Sequence, residues 1–167
     1  AGDIGHIQVS DHGDVVCRCG NVGCLEAVAG GGALAARLTE QGTKAANARD
    51  VVRLVRAGDP DATQMVRDAG RRLGDVLASC VNFFNPRVIV IGGDLGGAHE
   101  QLLAGVREVT FSRSLPLATG SLRIVPSKLG DRAGMIGAAV LVIEHVLAPE
   151  VIDHAIESGG AASAASA

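Results

Sequence analysis

Apolar and polar positions alternate over "IGHIQV", residues 4–9, a two-residue period that predicts a short strand. "SDHGD" (10–14) reads as a turn, because Asp and Gly tolerate the backbone angles of a tight reversal. From Leu25 to Leu38 helix formers dominate, but three consecutive glycines, 30–32, predict a break into two pieces. "TEQGTKAANA" is a polar connector. Asp50 then predicts an N-cap for a helix with Val51, Leu54 and Val55 on one face and Gly58 as its stop.

Asp59-Pro60 opens the clearest helix, a capping residue followed by proline at the first helical position. Met65, Ala69, Leu73, Leu77, Cys80 and Phe84 recur along it at helical spacing, which assigns them to a buried face, and Asn85-Pro86 ends it. The β-branched run "RVIVIGGDLGG" predicts a strand buried on both faces, within a parallel or mixed sheet covered by helices. "HEQLLAGVREVTF" reads as an amphipathic helix and "LRIVPS" as a second strand. "DRAGMIGAAVLVIEHVL" reads as a last helix whose small residues admit a close neighbour. Alternating strands and helices predict an α/β domain over residues 1–150, with 151–167 a disordered Ala/Ser/Gly tail.

Composition narrows the partners. The 167 residues are 47% hydrophobic and 20% charged, enough to fold around a core. A net charge of −3 gives no general attraction to nucleic-acid phosphates or anionic lipid. Without Trp or Tyr, and with three Phe, the chain lacks stacking platforms for single-stranded nucleic acid. No apolar run reaches the length of a bilayer span and the first residues have no secretory pattern, so a cytoplasmic location with reduced thiols is expected.

Three of the four cysteines crowd into one glycine-broken loop. His6, Cys17, Cys19 and Cys24 form H-x10-C-x-C-x4-C, a donor set that suits a structural Zn2+ ion with four protein ligands. Gly20 and Gly23 let the loop fold back toward the ion. His12 is a second candidate for the imidazole position; the strand expected around His6 favours His6. Iron–sulfur ligation calls for other spacing. Cys80 reads as a core residue, and His99, His145 and His154 each stand alone.

The segments "GDIGH" and "CRCGNVGCLEAVAG" resemble the signature of the ROK family, which groups bacterial sugar-responsive repressors with sugar kinases. "VNFFNPRVIVIGGDL" and "DRAGMIGAA" extend the resemblance over residues 1–147. It implies the second lobe of an actin-like ATPase (sugar kinase) fold, a mixed sheet flanked by helices with a zinc loop. His6, Cys17, Cys19 and Cys24 fall on the family's zinc positions, and Glu26 on a carboxylate that accepts hydrogen bonds from sugar hydroxyls. His6 falls on a residue that also faces the sugar. Asp3 stands where the family usually has glutamate, one methylene longer, so its reach to a sugar is shortened. Gly92 and Gly93 resemble the strand-to-loop segment near the kinase nucleotide site, although Asp94 would oppose a nucleotide phosphate.

In the family the catalytic Asp, the first phosphate loop and the repressors' helix-turn-helix all precede the "GDIGH" position. The expectation is therefore a C-terminal half with no catalytic residue of its own, reaching DNA only through a missing N-terminal domain. The leading function is the effector-binding and oligomerisation part of a repressor for a small sugar or phosphosugar, a homo-oligomer without membrane contact. The alternatives are half of a glucokinase-type ATP-dependent sugar kinase and a zinc-stabilised interaction module without sugar binding.

Overall fold

The computed structural model describes residues 2–9 and 14–164. It divides into two compact units, residues 1–128 and 129–167.

The first unit is built on one helix pair. α4 runs Pro60–Phe84, with the Asp59 carboxylate accepting from Ala62 N and Pro60 in the first turn. Asn85 ends it in the left-handed conformation at φ 46°. α5, His99–Arg113, lies against α4 where both helices carry glycine. A Cβ at Gly74 would stand 2.6 Å from the Val106 carbonyl oxygen, and one at Gly70 or Gly105 would run into the facing backbone just as closely. Buried Thr110 bonds across the contact, its hydroxyl donating to the Gly74 carbonyl at 3.2 Å. Arg71 and Arg67 bond to Glu108 along the same crossing, and Arg113 pairs with Asp75. These contacts hold Glu108 below the usual carboxylate range, chiefly through the Arg71 hydrogen bond.

Smaller elements pack around the pair. α1 (Leu25–Ala29) and α2 (Gly31–Glu40) are separated at Gly30, as the glycine run predicts. α3 spans Ala48–Arg56, and its cap is Asn47 rather than Asp50. The Asn47 side chain accepts from Arg49 and Asp50, while Asp50 sits three residues on and its carboxylate accepts from Ala46 N. Leu34, Leu38, Val51, Val66 and Leu102 close the core between α2, α3, α4 and α5.

β1 (Val88–Ile91) and β2 (Arg123–Pro126) pair in parallel, Ile89 opposite Ile124, with the four-residue helix α6 (Pro116–Thr119) preceding β2. Among the described residues this is the whole sheet, so the expected mixed sheet is corrected to a two-stranded parallel one. Nor is β1 buried on both faces. Ile89 and Ile91 join the core with Leu77, Val81 and Val106, while Val88 and Val90 are exposed. Phe83 and Phe84 are exposed and Cys80 is half-buried, against the buried face expected for that end of α4. Asn82 bonds to the Arg113 carbonyl and to Leu115 N at the end of α5, and Phe83 and Phe84 follow it.

The second unit holds a 3-10 turn, Gly130–Arg132, followed by α7 (Ala133–Val146) and α8 (Pro149–Ala164). α8 is helical through most of the segment expected to be a disordered tail; alanine, the strongest helix former, fills its end. No single helix among the described residues is long and apolar enough to cross a membrane.

Candidate metal centre and adjoining cavity

The expected strand over residues 4–9 is instead a single 3-10 turn, Ile4–His6, followed by one isolated bridge between Gln8 and Cys24. Asp3 causes the change. Its Oδ1 accepts from Gly5 N at 2.9 Å, capping the turn and curling the chain before a ladder can form. The turn aims His6 inward: Nδ1 lies 3.7 Å from Cys17 Sγ, and Nε2 lies 3.6 Å from the Asp3 carboxylate.

The cysteine loop closes on itself. Val16 bridges Val22, and Cys17 N donates to the Asn21 carbonyl at 2.7 Å. Gly20 (φ +92°) and Gly23 (φ +69°) make the two bends in a region that L side chains avoid. Val9 N to Gly23 O and Leu25 N to Ile7 O then zip the loop's exit against the His6 turn. Val9, Leu25, Val28 and Val76 anchor the whole to α4.

The result brings all four expected ligands together. One donor atom from each of His6, Cys17, Cys19 and Cys24 lies within 4.8 Å of every other. Tetrahedral zinc with Zn–S near 2.3 Å requires sulfur atoms about 3.8 Å apart. Cys19 and Cys24 stand at 3.6 Å, so the set fits such an ion with little movement. Electrostatics agree. Burial, with Cys19 and Cys17 alongside, pushes the Cys24 thiol up to about 12. The backbone N–H of Asn21 draws Cys19 down to about 7, helped by its bonds to Cys17 and Cys24 and the charge of His6. Crowded thiols that cannot all ionise are what a divalent cation relieves. Asp3 behind Nε2 is the carboxylate support found around metal-bound imidazoles. His12 lies outside the described residues; Cys80, His99, His145 and His154 are not part of the cluster.

Cys24 is also the N-cap of α1, so Glu26 stands in the first turn of a helix that begins on a ligand. Its carboxylate is exposed, and no described residue donates a hydrogen bond to it. A backbone N–H partner, the structural alternative for a helix-start carboxylate, is thus not found there. Gly30 makes room for it: a Cβ at Gly30 would sit 2.5 Å from Glu26 Oε1.

Glu26 faces a cavity of about 490 Å³ within the first unit. Asp3 and Gly5 line it from the His6 turn, Gly30–Gly32 from the break between α1 and α2, and Gly92, Gly93 and Asp94 from the end of β1. His6 itself is not among the lining residues; its two nitrogens face Cys17 and Asp3. "GGG" is legible in the sequence as a helix break, whereas its part in the cavity depends on the packing around it. A Cβ at Gly31 would collide with Ala48 Cβ, so the glycines also let α3 approach. Arg49 pairs with Asp94, Nε to Oδ1 3.5 Å, a contact that no local pattern could reveal.

Comparison with known proteins accords with this arrangement. The ROK family model matches residues 1–145. The DNA-binding transcriptional dual regulator NagC of Escherichia coli K12 is 33% identical over 166 residues, covering 94% of this chain and 40% of that protein. The chain therefore spans about two fifths of the length of the curated relatives it matches. A solved ROK family transcriptional regulator, homologous to the E. coli MLC protein, superposes with a TM-score of 0.73 at 33% identity, over 83% of this chain and 37% of that one. A ROK family glucokinase from Streptomyces griseus, solved with glucose and AMPPNP, gives 0.69 at 27% identity, over 84% and 51%. The likeness to sugar kinases implies the actin-like ATPase fold. The chain belongs to the ROK family.

Proposed function

We propose that residues 1–150 are the C-terminal lobe of a sugar-responsive ROK repressor, its effector-binding and oligomerisation part. The observation that carries this reading is the sharing of one short segment by the cysteine cluster and the cavity. Cys24 closes the ligand set, and Glu26, two residues on, faces the cavity with a carboxylate free to accept from hydroxyl groups. His6, Cys17, Cys19 and Cys24 would hold Zn2+, which supplies a structural crosslink, since four protein ligands leave no position for catalysis. The chain's own residues then position the effector: Glu26 and Asp3 accept from a polyol, and the glycines let it approach the backbone.

The rest of the reading concerns the whole protein. DNA is reached through an N-terminal domain outside this chain, and the protein acts as a cytoplasmic homo-oligomer. A glucokinase-type kinase is the second reading, favoured by one observation: Gly92 and Gly93 end β1 at the cavity wall, where a nucleotide could approach. Asp94, next in sequence and also lining the cavity, speaks against it by like charge with a phosphate.

Glu26→Gln tests the reading. The variant should retain full zinc and bind glucose, xylose or N-acetylglucosamine at least roughly tenfold more weakly, the effect of replacing a charged acceptor by a neutral one. Loss of zinc along with the sugar would make Glu26 a loop-structural residue.

A further inference from the structure

The four donors of the cysteine loop fall into two close pairs. Cys19 Sγ lies 3.6 Å from Cys24 Sγ, and Cys17 Sγ lies 3.7 Å from His6 Nδ1. Access separates the sulfurs, since Cys19 is exposed while Cys17 and Cys24 are buried. Gly20 and Gly23, at φ +92° and +69°, both stand between Cys19 and Cys24, so the backbone joining this pair bends at residues without side chains. From this arrangement we infer that Cys19 and Cys24 form a reversible thiol switch, in which hydrogen peroxide oxidises the pair to a disulfide and dismantles the metal site. The inference rests on the proposed zinc reading and adds to it a means of regulation.

Coordination to a metal keeps a thiol deprotonated, and the thiolate is the form that attacks a peroxide. Of the loop's sulfurs, solvent reaches that of Cys19. It attacks one oxygen of the peroxide, the O–O bond breaks, and hydroxide leaves, so Cys19 becomes a sulfenic acid. Cys24 then attacks the Cys19 sulfur; the S–S bond forms, the S–O bond breaks, and a second hydroxide leaves. Two protons from solvent turn both hydroxides into water, and the two electrons lost by the sulfurs have reduced the peroxide. Cys17 is ill placed to compete, because it is buried and its bridge to Cys19 would close a small, strained ring. After oxidation only His6 and Cys17 remain as donors, too few for a four-coordinate structural zinc. The consequence reaches the cavity. The His6 turn carries Asp3 and Gly5, and α1, capped by Cys24, carries Glu26, so losing the ion removes a crosslink between these two walls.

Treating the zinc-loaded full chain with hydrogen peroxide beside a colorimetric zinc chelator tests the inference, with peptide mapping by mass spectrometry after alkylation. About one zinc per chain should be released, with Cys19 joined to Cys24 and Cys17 alkylated. Dithiothreitol with added zinc should restore the metal content. Cys80→Ser should behave identically, since Cys80 is not part of the cluster. Zinc retained under a roughly tenfold excess of peroxide overturns the switch while leaving the metal reading standing. Release with Cys19 carried to the sulfinic acid, which dithiothreitol does not reverse, overturns it equally, as does a bridge through Cys17 or Cys80. A chain that takes up no zinc before peroxide is added overturns the metal reading itself, and the inference with it.

Discussion

The α4–α5 pair and the cysteine loop are held by opposite means. Where α4 and α5 cross, Val66, Val106 and Thr110 are fully buried, and glycines on both helices bring the backbones into contact. Apolar burial and close packing hold this crossing. Around the cysteines, residues 3–9 and 14–24 are joined mostly by short backbone bridges, with Val9, Leu25 and Val28 as a small apolar anchor. At the centre of this loop is a set of thiols that repel when ionised, of which burial pushes Cys24 up while the Asn21 N–H draws Cys19 down. On the proposed reading, such a segment is ordered by the ion it binds. The difference places rigidity in the helix pair and ligand-dependent chemistry in the loop, with the cavity where the two regions meet.

The comparison can be broken at either end. The largest effect should come from Gly105→Leu, because a side chain there meets the backbone of α4 from Arg67 to Arg71. Overpacking against backbone cannot be relieved by a rotamer change, so the variant should lose cooperative helical melting by circular dichroism. Retained cooperative melting would show that the crossing is looser than described. A much smaller effect is expected from Asp59→Ala, which removes the α4 cap and should cost about 1 kcal/mol in denaturant unfolding. Zinc content should not change in that variant. A loss of metal on uncapping α4 would mean that the loop depends on the helix for more than its anchor.

Much of the first region was legible in the sequence because its signals are local. Asp59-Pro60 and Asn85-Pro86 bound α4 correctly, and the runs ending at Ile91 and Pro126 are the two strands. Failures arose where tertiary context decides. "IGHIQV" has a strand period, yet the Asp3 side chain bonds to Gly5 and turns the chain first. Asp50 looks like a cap, but Asn47, three residues earlier, reaches the free N–H groups. Phe83 and Phe84 carry an apolar pattern that no described partner covers. At the site, the donor set was legible because cysteine and histidine are few and metal geometry is strict. The cavity was not, since Gly30–Gly32, Asp94 and Arg49 come together only through the packing of α2 and α3 against the end of β1.

The claim that a metal orders the loop meets its most direct test in X-ray absorption at the zinc edge on the purified protein. The account predicts one zinc per chain with three sulfur neighbours at about 2.3 Å and one nitrogen at about 2.0 Å. An absence of zinc, or a shell of oxygen and nitrogen without sulfur, would contradict it.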